Sequence, residues 1–317
     1  MRVELLGVRG STPAPGSDFV RYGGHTSCVA IGPDDGPPRL VLDAGTGIRR
    51  LTGLLGGAPF AGSILLSHLH WDHTQGLPFC PAIDRDDAQV ELWVPAQDAT
   101  PAAELLSRAM SPPHFPIDPT GLRGSWTFRD LGIGEHRIAD FDVTVAEVPH
   151  KGGRTFGFRI SDADMTIAYL PDHGPIALGP GPEGWGELHP AALNLAQGVD
   201  LLLHDAQHTV EEFAARAHFG HCPADYAVSL GRAAHARTVV LFHHDPARTD
   251  DQLDALLAQL QASAGPGGPR VVAAAEEDVF SSRGLDRGQR GSRDGPDPGR
   301  GDRGDRSRCE PAAPPRS

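Results

Sequence analysis

The residues with the clearest chemistry form a short polar string at 67–73. It follows an apolar run and reads Ser-His-Leu-His-Trp-Asp-His. Two histidines two positions apart after a strand, here His68 and His70, can turn both imidazoles toward one metal ion. Asp72 and His73 can reach a second ion from the start of the next helix. Imidazole and carboxylate donors suit zinc, and also manganese or iron. The alternative is a solvated turn with incidental histidines.

Three further side chains of the same chemistry follow apolar strand patterns later in the chain. They are His150, Asp172 and His243. Ligands at the tips of successive strands converge on one edge of the sheets, as a centre for two metal ions requires. Any one of them alone would be interpreted as a hydrogen-bonded histidine or a turn carboxylate, but their joint placement favours a shared metal site. His244 adjoins His243 and is an alternative ligand; we prefer His243 because it directly ends its strand.

The elements that must position these residues alternate between strands and helices, which indicates sheets covered by helices on their outer faces. The apolar patterns predict strands at 2–8, 27–31, 39–42, 63–67, 89–94, 125–129, 141–148, 155–160, 165–170, 199–204, 238–242 and 270–273. Helices are predicted around 48–55, after Thr74, and at 101–110, 190–197, 223–235 and 250–263.

Two segments differ from this alternation. Residues 95–125 contain Pro-rich stretches and are predicted to be an inserted lid-like segment, with an ordinary surface excursion as the alternative. From Ser281 the chain is mostly Arg, Gly, Asp and Pro, which cannot offset the entropy of ordering. We therefore predict one domain over 1–280 and a disordered tail over 281–317.

Composition narrows the class of protein. A hydrophobic content of 39% with 22% charged residues is typical of a soluble globular protein. No apolar run approaches the ~20 residues of a membrane span, and no signal-peptide pattern is present, so we expect a cytoplasmic protein without membrane association. The four cysteines are scattered, which favours neither a disulfide framework nor a thiolate zinc site.

The charge distribution bears on the partners. The formal net charge is −13, although the segment from Arg283 onward contains more arginine than acidic residues. An acidic body disfavours long polynucleotide ligands, which bind to basic surfaces. Small anionic substrates remain compatible, because bound dications would reverse the local field.

Taken together, these residues resemble the metallo-β-lactamase-fold hydrolases over about residues 3–275. The string at 68–73 is the H-x-H-x-D-H motif of that family, and Asp43-Ala44-Gly45 matches its Asp-x-Gly segment. The resemblance implies an α/β fold, a four-layer αββα sandwich in one domain, and two divalent metal ions, with Zn²⁺ preferred over Mn²⁺ or Fe²⁺. It implies the following ligands: His68, His70 and His150 for the first metal, Asp72, His73 and His243 for the second, and Asp172 bridging both. A carboxylate at Asp172, where zinc β-lactamases usually place Cys, disfavours antibiotic hydrolysis.

A later pair of strings resembles the phosphodiesterase branch of that family, which includes tRNA 3′-end-processing ribonucleases and a phosphonate-pathway cyclic phosphodiesterase. These strings are His204-Asp205-Ala206-Gln207 and His221-Cys222-Pro223, although the Ser/Thr pair that follows the histidine in the branch is not kept. The resemblance implies that His221, oriented by Asp205, protonates the leaving group while a metal-bridging hydroxide attacks. Asp72, His221 and Asp205 are thus the candidate catalytic residues. The alternative for His221 is a cap of the following helix.

The spacing of the ligands bears on the substrate. The tRNA-processing relatives carry a long arm between the third ligand and the bridging Asp, but only 22 positions separate His150 from Asp172. We therefore expect a small phosphodiester such as a cyclic nucleotide, and not tRNA. The alternatives are a thioester or lactone hydrolase, a non-catalytic metal-binding module, and a di-iron oxidoreductase, for which no flavin domain pattern is seen. Family members are often dimers, so a homodimer stays open.

Overall fold

The computed structural model describes residues 1–265 and 267–285, which form two packed seven-stranded sheets. The first sheet has the strand order β14-β1-β2-β3-β4-β5-β6, and the second has the order β13-β12-β11-β10-β9-β8-β7. The strands are β1 Arg2–Gly7, β2 Cys28–Gly32, β3 Leu40–Leu42, β4 Ala61–Leu65, β5 Gln89–Pro95, β6 Ser125–Leu131, β7 Gly134–Ile138, β8 Phe141–Val148, β9 Thr155–Ser161, β10 Thr166–Leu170, β11 Leu201–Asp205, β12 Thr238–Phe242, β13 Arg270–Ala273 and β14 Val279–Ser281.

Helices cover the outer faces of both sheets. They are α1 Leu51–Leu54, α2 Trp71–Thr74, α3 Ala102–Ser107, α4 Pro190–Ala196, α5 Val210–Arg216, α6 Ala224–Ala233, α7 Asp250–Ala264 and α8 Ser282–Leu285, with short 3₁₀ turns between them. The starts of α5 and α7 are fixed by capping boxes, in which the N-cap Thr209 or Thr249 exchanges hydrogen bonds with the residue three positions later.

Three apolar clusters define the layers. The largest lies between the sheets and joins inward side chains of both, such as Leu5 and Val29 from the first sheet and Tyr169 and Phe242 from the second. The other two lie under the outer helices. Strands β11 and β12 are buried along their whole length, as expected for parallel strands covered on both faces. The predicted four-layer αββα sandwich is confirmed.

The direction of the strands determines where the site lies. In the first sheet β3, β4, β5 and β6 run parallel, and in the second sheet β10, β11, β12 and β13 do so. The segments that leave the carboxyl ends of β4, β8, β10 and β12 carry the candidate ligands. The two sheets therefore bring their polar connections together at one edge.

Several predicted boundaries need correction. The helix expected after Thr74 begins at Trp71, and the helix of the lid-like segment covers only Ala102–Ser107. Strand β7 was missed because its sequence Gly-Glu-His-Arg-Ile is mostly polar and exposed. Ser281, assigned to the disordered tail, ends a strand that pairs with β1, and residues 282–285 form α8. The rest of the predicted tail lies outside the described residues.

The lid-like segment contacts the body at several points, and two of them lie on the side of the candidate ligands. The Phe115 ring packs edge-on against Phe79, with 5.8 Å between their centroids. The Gln97 side chain forms hydrogen bonds with the backbone of Arg154, in the loop that follows His150. Its role as a cover for substrate stays a prediction. Among the helices of the described residues, none has both the length and the apolar character needed to cross a membrane.

Candidate metal centre

The string at 67–73 turns from a strand into a helix. After β4 ends at Leu65, the chain leaves the sheet, bends at Ser67 and reaches His70, which is the N-cap of α2. The side chains of Asp72 and His73 project from the first turn of that helix and are buried. His68 is buried as well, whereas His70 keeps partial exposure to solvent. The string thus supplies four polar side chains, two to each of two adjoining groups.

The first group of candidate ligands consists of His68, His70, His150 and Asp172, whose donor atoms all lie within 4.8 Å of one another. The Oδ2 atom of Asp172 lies 3.6 Å from His68 Nε2 and 3.4 Å from His150 Nε2. His70 presents Nδ1, which is 3.4 Å from His150 Nε2. Three imidazoles and one carboxylate oxygen therefore surround a single position.

The second group consists of Asp72, His73, Asp172 and His243. The other carboxylate oxygen of Asp172, Oδ1, lies 3.0 Å from His73 Nε2 and 3.2 Å from His243 Nε2. Asp72 Oδ2 is 3.1 Å from His243 Nε2. Asp172 thus offers one oxygen to each group. His244 turns away, because its Nε2 bonds with the Ala274 carbonyl oxygen at 2.9 Å.

Hydrogen bonds behind the ligands fix their orientation. The carboxylate of Asp43 accepts hydrogen bonds from the Ser67 amide, the Ser67 hydroxyl, the Tyr169 hydroxyl and His73 Nδ1, the last at 2.7 Å. His150 Nδ1 donates to the Gly220 carbonyl oxygen at 2.6 Å. Such partners hold the tautomer in which the lone pair of Nε2 points into the site, as metal-bound histidines require.

Electrostatics inside the cluster favour positive charge. Burial alone would raise the pKa of Asp172, but the imidazoles of His243 and His73 outweigh it and hold that pKa well below its usual range. For His73, burial alone would lower the pKa, whereas Asp172 and Asp72 raise it well above the usual value. Burial lowers the pKa of His68. The carboxylates are therefore ionised, the His68 imidazole is neutral, and the carboxylates favour a positive charge at His73, a charge that a bound metal ion would supply in place of the proton.

The residues present fit a metal pair. The Nε2 atom of His68 is buried and has no hydrogen-bond partner among the described residues, although it points at the Asp172 carboxylate. A buried acceptor without a partner is costly unless a cation or water satisfies it. The donor set of imidazole nitrogens and carboxylate oxygens suits zinc, manganese or iron. The seven side chains predicted as ligands all lie in these two groups.

Two glycines leave room for the ligands. A Cβ atom on Gly10 would overlap the His243 imidazole, and one on Gly152 would lie 2.8 Å from His70 Nε2. Gly152 also has a φ of 89°, which only glycine adopts readily. Asp43 and His243 themselves have φ values of 57°. Such backbone conformations in non-glycine residues cluster at functional sites.

A histidine–carboxylate pair lies next to the two groups. His221 Nδ1 donates to Asp205 Oδ2 at 2.8 Å, and Asp205 also accepts from the amides of His173 and Gln207. Burial alone would lower the pKa of His221, but Asp205 raises it to about 9. The ring centroid of His221 is 5.0 Å from that of His243. A charged imidazole with a free Nε2 therefore stands beside the cluster.

The matched region of the sequence identifies the family. A family model described as "Beta-lactamase superfamily domain" matches residues 38–244. This range contains both groups of ligands and the His221–Asp205 pair. The chain belongs to the β-lactamase superfamily.

Individual relatives support the same placement within the β-lactamase superfamily. Ribonuclease Z of Natronomonas pharaonis is 23% identical over 275 residues, which cover 77% of this chain and 86% of the relative. The metallo-β-lactamase fold protein YhfI from Bacillus subtilis superposes with a TM-score of 0.64 and 16% identity, covering 88% of this chain and 99% of the other. A diphosphatase of the PhnP family superposes with a TM-score of 0.61 and 17% identity, covering 88% of this chain and 97% of the diphosphatase. Family membership and the His/Asp cluster together support a metal-dependent hydrolase.

Sequence reasoning missed several residues of this β-lactamase superfamily site. It gave no role to Tyr169, although a lone hydroxyl in an apolar strand needs a partner and was a usable signal. The sequence singled out the string at Asp43, but not the four hydrogen bonds that the Asp43 carboxylate accepts. Ser11 binds Asp72 Oδ2 through its backbone amide at 2.7 Å, a contact that side-chain chemistry does not reveal.

Proposed function

We propose that this protein is a phosphodiesterase that hydrolyses small phosphodiesters, such as cyclic nucleotides, with two divalent metal ions, preferably zinc. The observation that supports this best is the hydrogen bond between His221 and Asp205, placed beside two adjoining groups of metal ligands. A carbonyl substrate does not need a charged imidazole at that position, whereas a phosphodiester has a charged phosphate and an alkoxide leaving group.

The roles of the chain's own residues follow from their positions. The first metal would be held by His68, His70 and His150, the second by Asp72, His73 and His243, and the carboxylate of Asp172 would bridge them. When bound, such a pair supplies a water of lowered pKa and positive charge for the phosphate oxygens. As the new phosphorus–oxygen bond forms and the bond to the leaving alcohol breaks, the free Nε2 of His221 donates its proton to the alkoxide. Asp205 orients the imidazole and stabilises its charge.

The size of the substrate is inferred from what surrounds the ligands. Between His150 and Asp172 the chain forms β9, β10 and short connections. This connection has no room for the long arm with which tRNA-processing relatives bind tRNA, and the chain has a formal net charge of −13. Both features favour a small anionic ester over tRNA, although one relative is a Ribonuclease Z. A diphosphatase of the PhnP family on the same fold is compatible with this choice.

The test compares substrates and variants. Protein loaded with Zn²⁺ or Mn²⁺ is expected to hydrolyse bis(p-nitrophenyl) phosphate and cyclic nucleotides, and to contain two metal ions per chain by elemental analysis. His221→Ala should lower kcat for cyclic nucleotides, whose alkoxide leaving group needs a proton, about 10²- to 10⁴-fold with unchanged metal content. The matched control is His235→Asn, since His235 is exposed at the end of α6 and Asn tolerates its φ of 54°.

The thioester and lactone alternative is decided in the same assay. Turnover of thioesters or lactones without turnover of a broad phosphodiester panel would contradict the proposal. So would full phosphodiesterase activity in His221→Ala. A protein that binds both metals but turns over no ester at all would instead support the non-catalytic alternative.

A further inference from the structure

The most exposed large apolar side chain of the described residues belongs to the metal-binding string itself. Trp71 is 74% exposed, although its neighbours on both sides, His70 and Asp72, face the cluster. It is the first residue of α2. Because its backbone lies between two candidate ligands, the indole is attached at the border of the candidate metal centre. A single exposed apolar side chain is ordinary on a protein surface, so what sets Trp71 apart is its position between two candidate ligands.

A second exposed aromatic ring belongs to the loop that carries His221. Phe219 is 54% exposed, and the His218 ring packs against it with 4.2 Å between centroids. This loop is tied to the first group of ligands, because the Gly220 carbonyl oxygen accepts from His150 Nδ1. The Lys151 ammonium also donates to the His218 carbonyl oxygen at 3.2 Å. The first turn of α2 and the loop before His221 thus each carry an exposed aromatic side chain next to candidate ligands.

We infer that Trp71 is a stacking platform for a planar aromatic group of the substrate, such as a nucleobase, and so selects base-bearing phosphodiesters. The inference rests on the proposed function and narrows its substrate class. An indole face attracts any planar ring and does not distinguish one base from another. We therefore expect selectivity for the presence of a base and little selectivity for its identity.

The kinetic test uses two cyclic esters of similar reactivity. Uridine 2′,3′-cyclic phosphate carries a base, and glycerol 1,2-cyclic phosphate does not. Trp71→Ala should raise KM for the uridine ester about tenfold with little change in kcat, and leave the glycerol ester within twofold. Trp71→Phe should restore most of the loss. Val279→Ala, at an exposed position of the edge strand β14, is the control and should change neither ester.

A binding measurement provides a readout independent of turnover. Adenosine monophosphate should quench the intrinsic fluorescence of the wild-type protein, and the quenching should fall strongly in Trp71→Phe although three tryptophans remain. Glycerol phosphate should quench neither protein. Dissociation constants for both compounds can be compared in Trp71→Ala.

The outcomes separate this inference from the proposed function. If the wild type hydrolyses both cyclic esters but Trp71→Ala loses both equally or neither, the stacking platform is wrong and the phosphodiesterase stands. If the wild type hydrolyses neither ester, the proposed function fails first. A change of oligomeric state in Trp71→Ala without a change in base selectivity would assign the indole to a contact between copies, and would also overturn the inference.

Discussion

The Nδ1 atom of His221 lies 2.8 Å from Asp205 Oδ2 and 3.8 Å from Asp172 Oδ2. One imidazole therefore stands between a carboxylate that accepts its hydrogen bond and a carboxylate that faces both groups of metal ligands. This placement joins two parts of the site that are 33 positions apart in sequence, Asp172 and Asp205. The charge on Asp205 therefore acts first on the imidazole that it contacts.

Replacing that charge gives the first prediction. Asp205→Asn keeps one oxygen, which at the Oδ2 position can still accept from His221 and the His173 amide, but it loses the acceptor for the Gln207 amide and removes the negative charge beside His221. We expect kcat to fall about 10²-fold, because a general acid contributes ~10²–10⁴ and its orientation is weakened. Metal content by elemental analysis should not change. A variant with full kcat, or one that has lost its metals, would show that Asp205 has another role.

The second prediction concerns the residues behind His73. Asp43→Asn removes the charge that accepts from Ser67, Tyr169 and His73, so metal affinity should fall about 10- to 100-fold in competition with a chelator. Tyr169→Phe removes only one of the donors and should cost about 1 kcal/mol of unfolding free energy, with a smaller effect on metal affinity. Equal effects of the two substitutions on metal affinity would contradict this order.

The third prediction concerns the space beside His243, the candidate ligand that follows β12. A Cβ on Gly10 would overlap the His243 imidazole, so Gly10→Ala should displace that ring and reduce the bound metal measured by elemental analysis. Gly53→Ala is the matched control, because a Cβ there meets nothing within 4 Å. It lies in α1 and should change stability by no more than ~1 kcal/mol. Full metal content in Gly10→Ala would refute the assignment of His243 to the second group.

A fourth prediction concerns stability in acid. His208 is buried, neither ring nitrogen has a partner among the described residues, and burial lowers its pKa to about 4. The folded state thus holds the imidazole neutral, whereas the unfolded chain takes up a proton near pH ~6.5. The stability that depends on a neutral His208 is therefore fully present above pH ~6.5, and the free energy of unfolding falls as the pH drops toward 4. Between pH 7 and 5 the loss should be about 2 kcal/mol in urea unfolding.

The comparison for this prediction uses two substitutions to methionine. His208→Met should lose about 2 kcal/mol less than the wild type over that pH range, since the titrating group is gone. His114→Met, at an exposed position, should follow the wild type. If all three proteins lose stability in parallel, His208 is not protonated on unfolding in the way described.

The proximity of the candidate ligands was predictable because their positions at strand ends are encoded locally. An apolar run that ends in histidine or aspartate, as before Asp172 and His243, places a polar group at a strand tip, and the fold brings such tips together. The start of α2 was not predictable to the residue, since His70 serves as its N-cap without a side-chain hydrogen bond. A short 3₁₀ turn or helix also leaves little periodicity to detect.

The contacts that orient the candidate ligands were harder to predict from the sequence. Ser11 reaches Asp72 through a backbone amide, so its side chain carries no sign of the role. Gly152 is needed because the His70 ring lies against it, a proximity between residues 82 positions apart. Asp205 and His221 were recognised by resemblance, but only the structure gives the distance that makes them a pair.

The two sheets contribute unequal shares of the candidate ligands, so the proposed metal centre lies between two halves of the chain. The segment after β4 supplies four of them from the first sheet, and the segments after β8, β10 and β12 supply three from the second. A chain cut between Gly132 and Ile133, in the turn that joins the sheets, would separate these shares. We expect the fragments to reassemble far more tightly with Zn²⁺ than with a chelator, as measured by fragment binding, since neither half alone can hold both ions.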